Sequence, residues 1–358
     1  MNLLFHNSTH RPYRLAALAL GIAVAGAVQA APFAYIANGG GLSNDDNTVS
    51  VIDTASNTVV GTIPIGTLGS TNFRTIAMNS AATRVYVGDY LNTNVYVIDT
   101  SNNQVVATVP VGTRPFGIAV NNAGTQVYVV NDQDSDISFI STANNSVIDT
   151  VSVSGSQFAI HPSPYGIAVN LAGTRLYVTN HVDNTVAVFN ALTRTQIDTI
   201  TIGISGTPEP YGIAVNPTGT RVYVADQFDN NVSVIDTASD AVIADIPVGN
   251  GPTGVTVNAA GTRVYVSDQF DGDVWVIDAT NNTAITHVAM GGNLAGIAMN
   301  PKGTRVYITD NGNNQVQILD AGNNTRLTPV NVGISPVSIG QFMQPGAIFV
   351  SGFEAGPK

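Results

Sequence analysis

Four side chains that can stack, carry charge or donate hydrogen bonds recur at one position of this chain. Each stands immediately before a segment close to Gly-Ile-Ala-Val: Arg74, Phe116, Tyr165 and Tyr211. Arg114 and His161 lie a few residues upstream of two of them. An arginine with three aromatics in successive repeats offers flat faces for a base, a sugar or a peptide side chain, and a cation for an anionic group. The other repeats carry Thr253, Ala295 and Val337 at this position, so any such site is one-sided. The competing expectation is that the aromatics plug a channel mouth.

Other groups invite chemistry less directly. Asp132, Asp134 and Asp136, then Asp226 and Asp229, then Asp268, Asp271 and Asp273 are clustered carboxylates of the kind that suit a hard cation. No calcium-loop pattern with a central Gly and terminal Glu follows, and solvated turn residues are the simpler expectation. His161 and His181 with Asp183 have transition-metal ligand types, but at no fixed spacing. There is no Gly-x-Ser-x-Gly elbow, phosphate loop or His-Glu-x-x-His. Nothing in the sequence therefore calls for a catalytic set, a metal or a cofactor. His287 falls on an outer strand and Trp275 in mid-strand, where a core role is expected.

The elements that must position these residues are repeats. A strand close to Val-Tyr-Val-x-Asn/Asp occurs seven times, its tyrosines at 35, 86, 128, 177, 223, 265 and 307, spaced 42 to 51 residues apart. Each unit reads as four strands. A Gly-Ile-Ala-Val-Asn strand turns through Asn-x-x-Gly-Thr into the tyrosine strand; Asn bonding its own backbone and Gly supplying a positive φ make this a hairpin loop. Ala82 replaces that Gly once. An Asn-x-Val-x-Val-Ile-Asp strand follows, then one ending near Val-Gly. Four antiparallel strands at this period predict a seven-bladed all-β propeller over residues 31–345. The N-terminal unit lacks its first strand and the C-terminal end has a spare one, Pro336 to Phe342. Pairing of the two is expected to close the ring without an exposed edge. Arg84, Arg175, Arg221, Arg263 and Arg305 open tyrosine strands, and fifteen residues later stand Asp99, Asn190, Asp236, Asp278 and Asp320. The constant offset predicts cross-strand staples.

Residues 1–30 read as an export signal: Arg11 and Arg14, an apolar run from Leu15 to Val28, and Val28-Gln29-Ala30 before Ala31. The run is short for a membrane span, and no other stretch is long enough. Residues 346–358 read as a tail. The formal net charge is −11, with 13 Lys and Arg against 24 Asp and Glu, two of the bases lying in the leader. Nucleic-acid binding depends on cations displacing counterions, so this balance disfavours it. The chain has no cysteine, so disulfides and thiolate metal sites are excluded.

The Tyr-Val-x-Asn/Asp strand, the Gly-Ile-Ala-Val-Asn strand and the Val-Ile-Asp-Thr segment together resemble the YVTN-repeat β-propeller family over about residues 33–343. That resemblance implies a seven-bladed propeller that is periplasmic or displayed at the cell surface. It carries no single activity, since the family spans surface-layer components, periplasmic binding propellers, a branch binding single-stranded DNA, and distant lactonase-like relatives. In a propeller the loops joining fourth to first and second to third strands share one face. The long loops here, 39–47, 67–74, 154–165 and 204–211, are of that kind, and recognition on a constant scaffold usually lives there. The reading is an exported, monomeric, non-enzymatic binding or scaffold propeller. Its expected ligand is a small molecule, glycan or peptide held by Arg74, Arg114, Phe116, His161, Tyr165 and Tyr211. A lactonase- or lyase-like enzyme and a periplasmic single-stranded DNA binder are the alternatives.

Overall fold

A computed structural model describes residues 33–39, 46–66, 72–154, 162–203 and 207–343. The expected leader (1–30), the expected tail (346–358), His161 and parts of the long loops lie outside them. No helix among the described residues is long and apolar enough to cross a membrane.

The alternating β-branched and aromatic residues fold into six four-stranded antiparallel sheets and one of three strands. The chain is a seven-bladed β-propeller. In the second blade the order from the axis outward is Phe73–Met78, Arg84–Asp89, Asn94–Asp99 and Gln104–Pro110. The innermost strand of this blade is mostly buried, whereas its outermost strand is mostly exposed, with Val109 its one buried residue. All seven repeat tyrosines are at most 2% exposed. Their hydroxyls work at the blade seams: Tyr35 donates to Asn103 Oδ1 at 2.8 Å and Tyr307 to Asn57 Oδ1 at 2.7 Å. A buried hydroxyl needs such a partner, which makes Tyr35 and Tyr307 core residues and inter-blade latches at once, whereas Tyr128 bonds Gln126 of its own strand.

The ring closes at the expected place, by a less regular route. The three-stranded first blade (Phe33–Ala37, Thr48–Asp53, Thr58–Pro64) is completed by isolated bridges from the C-terminal segment, Asn38 to Pro336 and Ala34 to Met343. Val337 N donates to Ala37 O and Tyr35 N to Phe342 O. Between those contacts the segment leans the other way: Ile76 N donates to Ile339 O, and Ile339 N to Arg74 O, in the second blade. Gly340, at φ 117°, allows that excursion. The last innermost segment therefore bridges two blades rather than running as one strand.

The arginine staples are cross-strand neighbours throughout, since Arg84, Arg175, Arg221, Arg263 and Arg305 face Asp99, Asn190, Asp236, Asp278 and Asp320 in register. Three close within the blade: Arg84–Asp99 at 2.8 Å, Arg263–Asp278 at 3.1 Å, and Arg221–Asp236. Two do not. Arg175, facing an asparagine, crosses to the next blade and grips Asp240 through both terminal nitrogens, at 2.9 and 2.6 Å. Arg305 crosses to Thr54 O and Asn57 Oδ1 of the first blade. The same residue type thus serves as blade staple or seam latch, and the facing residue does not alone decide which, since Arg305 crosses the seam although it faces Asp320.

Candidate functional site

The tyrosine strand ends each time in a buried Asn or Asp: Asn38, Asp89, Asn131, Asn180, Asp226, Asp268 and Asp310, all fully buried. The next residue turns over the mouth of the channel, and its backbone N–H ties it to the turn before the neighbouring innermost strand. Tyr90 N donates to Asn72 O, Asp132 N to Arg114 O, His181 N to Ser163 O and Gln269 N to Gly251 O. Two concentric rings result. The inner ring is Arg74, Phe116, Tyr165, Tyr211, Thr253, Ala295 and Val337. The outer ring includes Tyr90, Asp132, His181, Gln227, Gln269 and Asn311.

Five of the six expected site residues come together here; the sixth, His161, lies outside the described residues. Phe116 and Tyr165 stack with centroids 4.0 Å apart, and Tyr165 stacks on His181 at 4.2 Å. Tyr211 meets Phe116 and Tyr165 edge-on at 5.7 and 5.3 Å. Tyr90 meets Phe116 edge-on at 6.1 Å. The Arg74 and Arg114 guanidiniums lie 4.9 and 5.4 Å from the Tyr90 centroid, within cation–π range. Phe116 is 3% exposed, so its faces are used inside the cluster. Phe116 is thus closed off inside the layer, while Tyr165 and Tyr211 are half-buried beside it. The layer also presents its arginine edge outward.

Tyr90 and His181 complete the cluster. Aligning the residue after each tyrosine strand would have placed both on this mouth, because the column reads Tyr90, Asp132, His181, Gln227, Gln269, Asn311. Burial holds the His181 imidazole below its usual pKa, against the opposing pull of Glu209, whose Oε2 is 3.1 Å from Nε2. The neutral ring then carries its proton on Nε2, towards that carboxylate. Burial pushes the Tyr165 hydroxyl up to about 12 and raises Tyr211 further, so neither ionises near neutral pH.

Backbone geometry supplies a second observation. The residue two before the inner ring has positive φ at Arg114 (59°), Ser163 (53°) and Glu209 (46°), and the equivalent in the sixth blade is Gly251 (73°). Glycine meets this turn's demand without strain. In three successive blades a polar side chain stands there instead and reaches the cluster: Glu209 to His181, Ser163 to Asp132, and Arg114 over Tyr90. Across the mouth an amide row continues the rim, Gln227 Nε2 donating to Gln269 Oε1 at 3.0 Å and Gln269 Nε2 to Asn293 Oδ1 at 3.1 Å.

The clustered aspartates have other duties. Asp134 accepts from Thr113 N and Asp271 from Asn250 N, bracing the loops around the mouth. No group of three or more His, Cys, Asp or Glu among the described residues is arranged to hold a metal ion. Trp275 packs partly buried between blades and stacks on His287 at 5.0 Å.

Residues 92–243 match the family model described as Lactonase, 7-bladed beta-propeller, which spans Phe116, Tyr165, His181 and Tyr211 but not Arg74. Comparison with curated proteins finds no match. Among solved structures, hydrazine synthase of Kuenenia stuttgartiensis superposes with a TM-score of 0.66 at 19% identity, over 74% of this chain and 88% of that one. A protein from Desulfotomaculum acetoxidans described as functionally unknown superposes with a TM-score of 0.69 at 17% identity, over 88% of this chain and 98% of that one. At these identities the likeness is one of fold.

Proposed function

We propose that this chain is an exported binding propeller that holds a small, hydroxyl-rich organic anion, an acidic sugar in type, over the channel mouth on the long-loop face. One observation carries the reading. Arg84, Arg175, Arg194, Arg221 and Arg263 are each paired with a carboxylate. Arg74 and Arg114 converge on Tyr90 and form no ion pair among the described residues. Lys302, Arg305 and Arg326 of the seventh blade also lack a carboxylate partner among the described residues, so what marks Arg74 and Arg114 is that two unpaired cations meet over one aromatic ring. The guanidiniums lie over a ring that the cluster beneath holds rigid, so little side-chain freedom is lost on binding. The Gln227–Gln269–Asn293 row supplies amide donors and acceptors for hydroxyls. Glycan, peptide and small-molecule partners all remained open from sequence; the paired cations and the amide row favour the acidic sugar.

The test is a calorimetric panel of uronate-containing and neutral oligosaccharides, acidic peptides and single-stranded oligonucleotides. Arg114→Gln removes an exposed cation that no neighbour relies on for charge. A charge-assisted contact is worth about 1.5–3 kcal/mol, so uronate affinity should fall at least tenfold. Equal affinity for neutral and acidic sugars, or no change in Arg114→Gln, would overturn the reading.

The lactonase match favours a second reading, catalysis at the same mouth. There His181 is the imidazole available as a base, with Glu209 orienting it. Lactone turnover by the wild type that His181→Gln abolishes would move the assignment from binding to hydrolysis.

A further inference from the structure

The opposite face carries a second feature, independent of the arginine edge. Beneath the aromatic layer the central channel is a cavity of about 260 Å³ that opens among the short Asn-x-x-Gly-Thr turns. Its blind end is made by the converging innermost strands. A Cβ at Gly117 would collide with Tyr165 O, and one at Gly212 with Thr253 O, so the strands approach there as closely as glycine allows. The wall is an aliphatic ring, Ile118, Ile167, Ile213, Val255, Ile297 and Ile339. Its lip includes Leu171, Pro217 and Ala259, and no charged residue lines it among the described residues. Four of the asparagines at the mouth, Asn121, Asn170, Asn216 and Asn300, are engaged in their own turns. Asn170 and Asn216 accept from the backbone of their own turns through Oδ1 and donate to Thr174 and Thr220 through Nδ2. They hold the opening rigid and give it little polar appetite.

We propose that this channel binds the unbranched alkyl chain of a small amphiphile, inserted from the short-turn face with its head group left in solvent. The volume exceeds the roughly 150 Å³ of an engineered apolar cavity that takes benzene, and falls just below the range of about 300–1,000 Å³ typical of drug-sized ligands. The axial, blind-ended shape suits a chain rather than a disc. The absence of lining charge excludes burial of the head group. Neither the arginines nor the aromatic faces of the other mouth take part.

A homologous series tests this without knowledge of the natural ligand. The full-length protein is titrated calorimetrically with the straight-chain 1-alkanols from butanol to octanol. Each buried methylene should tighten binding about fourfold, the equivalent of about 0.8 kcal/mol. The gain should stop once the channel is full. Ala214→Leu and, separately, Ala168→Leu narrow the channel and should bring that plateau to a shorter chain; two variants guard against one misfolding. Failure of every alkanol to bind up to its solubility limit would overturn the proposal. So would affinity that climbs without a plateau, which is surface partitioning, or an unchanged plateau in both folded variants. Binding seen only after residues 346–358 are removed would assign the channel to the chain's own terminus and equally overturn it.

Discussion

Asp268 should make this protein lose stability on the alkaline side, and one substitution should restore it. The residue ends the tyrosine strand of the sixth blade and is fully buried. Burial, reinforced by the charges of Asp271 and Asp273, pushes its pKa from 3.8 to about 8; the Gly249 N–H and the Trp275 indole oppose the shift. The folded value lies above the unfolded one, so between these limits the native state holds the extra proton. Its stabilising effect is complete below about pH 4 and is lost as pH rises towards 8. Four units at 1.36 kcal/mol each set a ceiling of about 6 kcal/mol, and local relaxation and water entry should reduce this to about 2–3 kcal/mol. Asp268→Asn keeps the shape and cannot ionise. Asn38, Asn131 and Asn180 already fill the equivalent buried site in three blades. Denaturant melts of both proteins at pH 5, 7 and 9 read the difference, since every other titrating group is common to the two. The variant should match the wild type at pH 5 within about 1 kcal/mol and exceed it by about 2–3 kcal/mol at pH 9. Parallel pH profiles would show that Asp268 ionises freely, and the burial argument would fail.

Four further outcomes are expected. Phe116→Ala should cost about 3–5 kcal/mol in a thermal or urea melt, because the ring lies inside the mouth cluster rather than on its surface; a loss below 1 kcal/mol would reopen it as a ligand contact. Deleting residues 336–358 should cause aggregation measurable by light scattering, while deleting 346–358 should leave the melting temperature in place; equal behaviour would contradict closure by the bridging segment. Arg221→Ala and Asp236→Ala should couple by about 0.2–1 kcal/mol in a double-mutant cycle, and zero coupling would show the staple to be energetically idle. Ala82→Gly should stabilise the second blade by about 0.5–1 kcal/mol, since Ala82 occupies a turn at φ 54° where the other blades use glycine.

Much of the architecture was legible because it is local and repeated. A tyrosine strand every 42 to 51 residues, Asn and Gly at fixed turn positions, and Arg fifteen residues before Asp each report contacts within one hairpin, where sequence distance sets spatial distance. Blade number, strand order, cross-strand register and the place of closure follow from such signals, as does the gathering of Arg74, Arg114, Phe116, Tyr165 and Tyr211 at one mouth. What those residues do there was not legible, because it depends on contacts between blades. Phe116 proved to be a buried plug only once Tyr165 and Tyr211 from the next two blades closed over it. Arg175 and Arg305 left their facing partners for neighbouring blades, since side-chain reach across a seam is not encoded in either strand. Tyr90 entered the site through a turn that hangs over the next blade's innermost strand. The channel itself has no sequence signature: Ile118, Ile167 and Ile213 read as ordinary strand interior, and only the curvature of seven packed sheets leaves space between them.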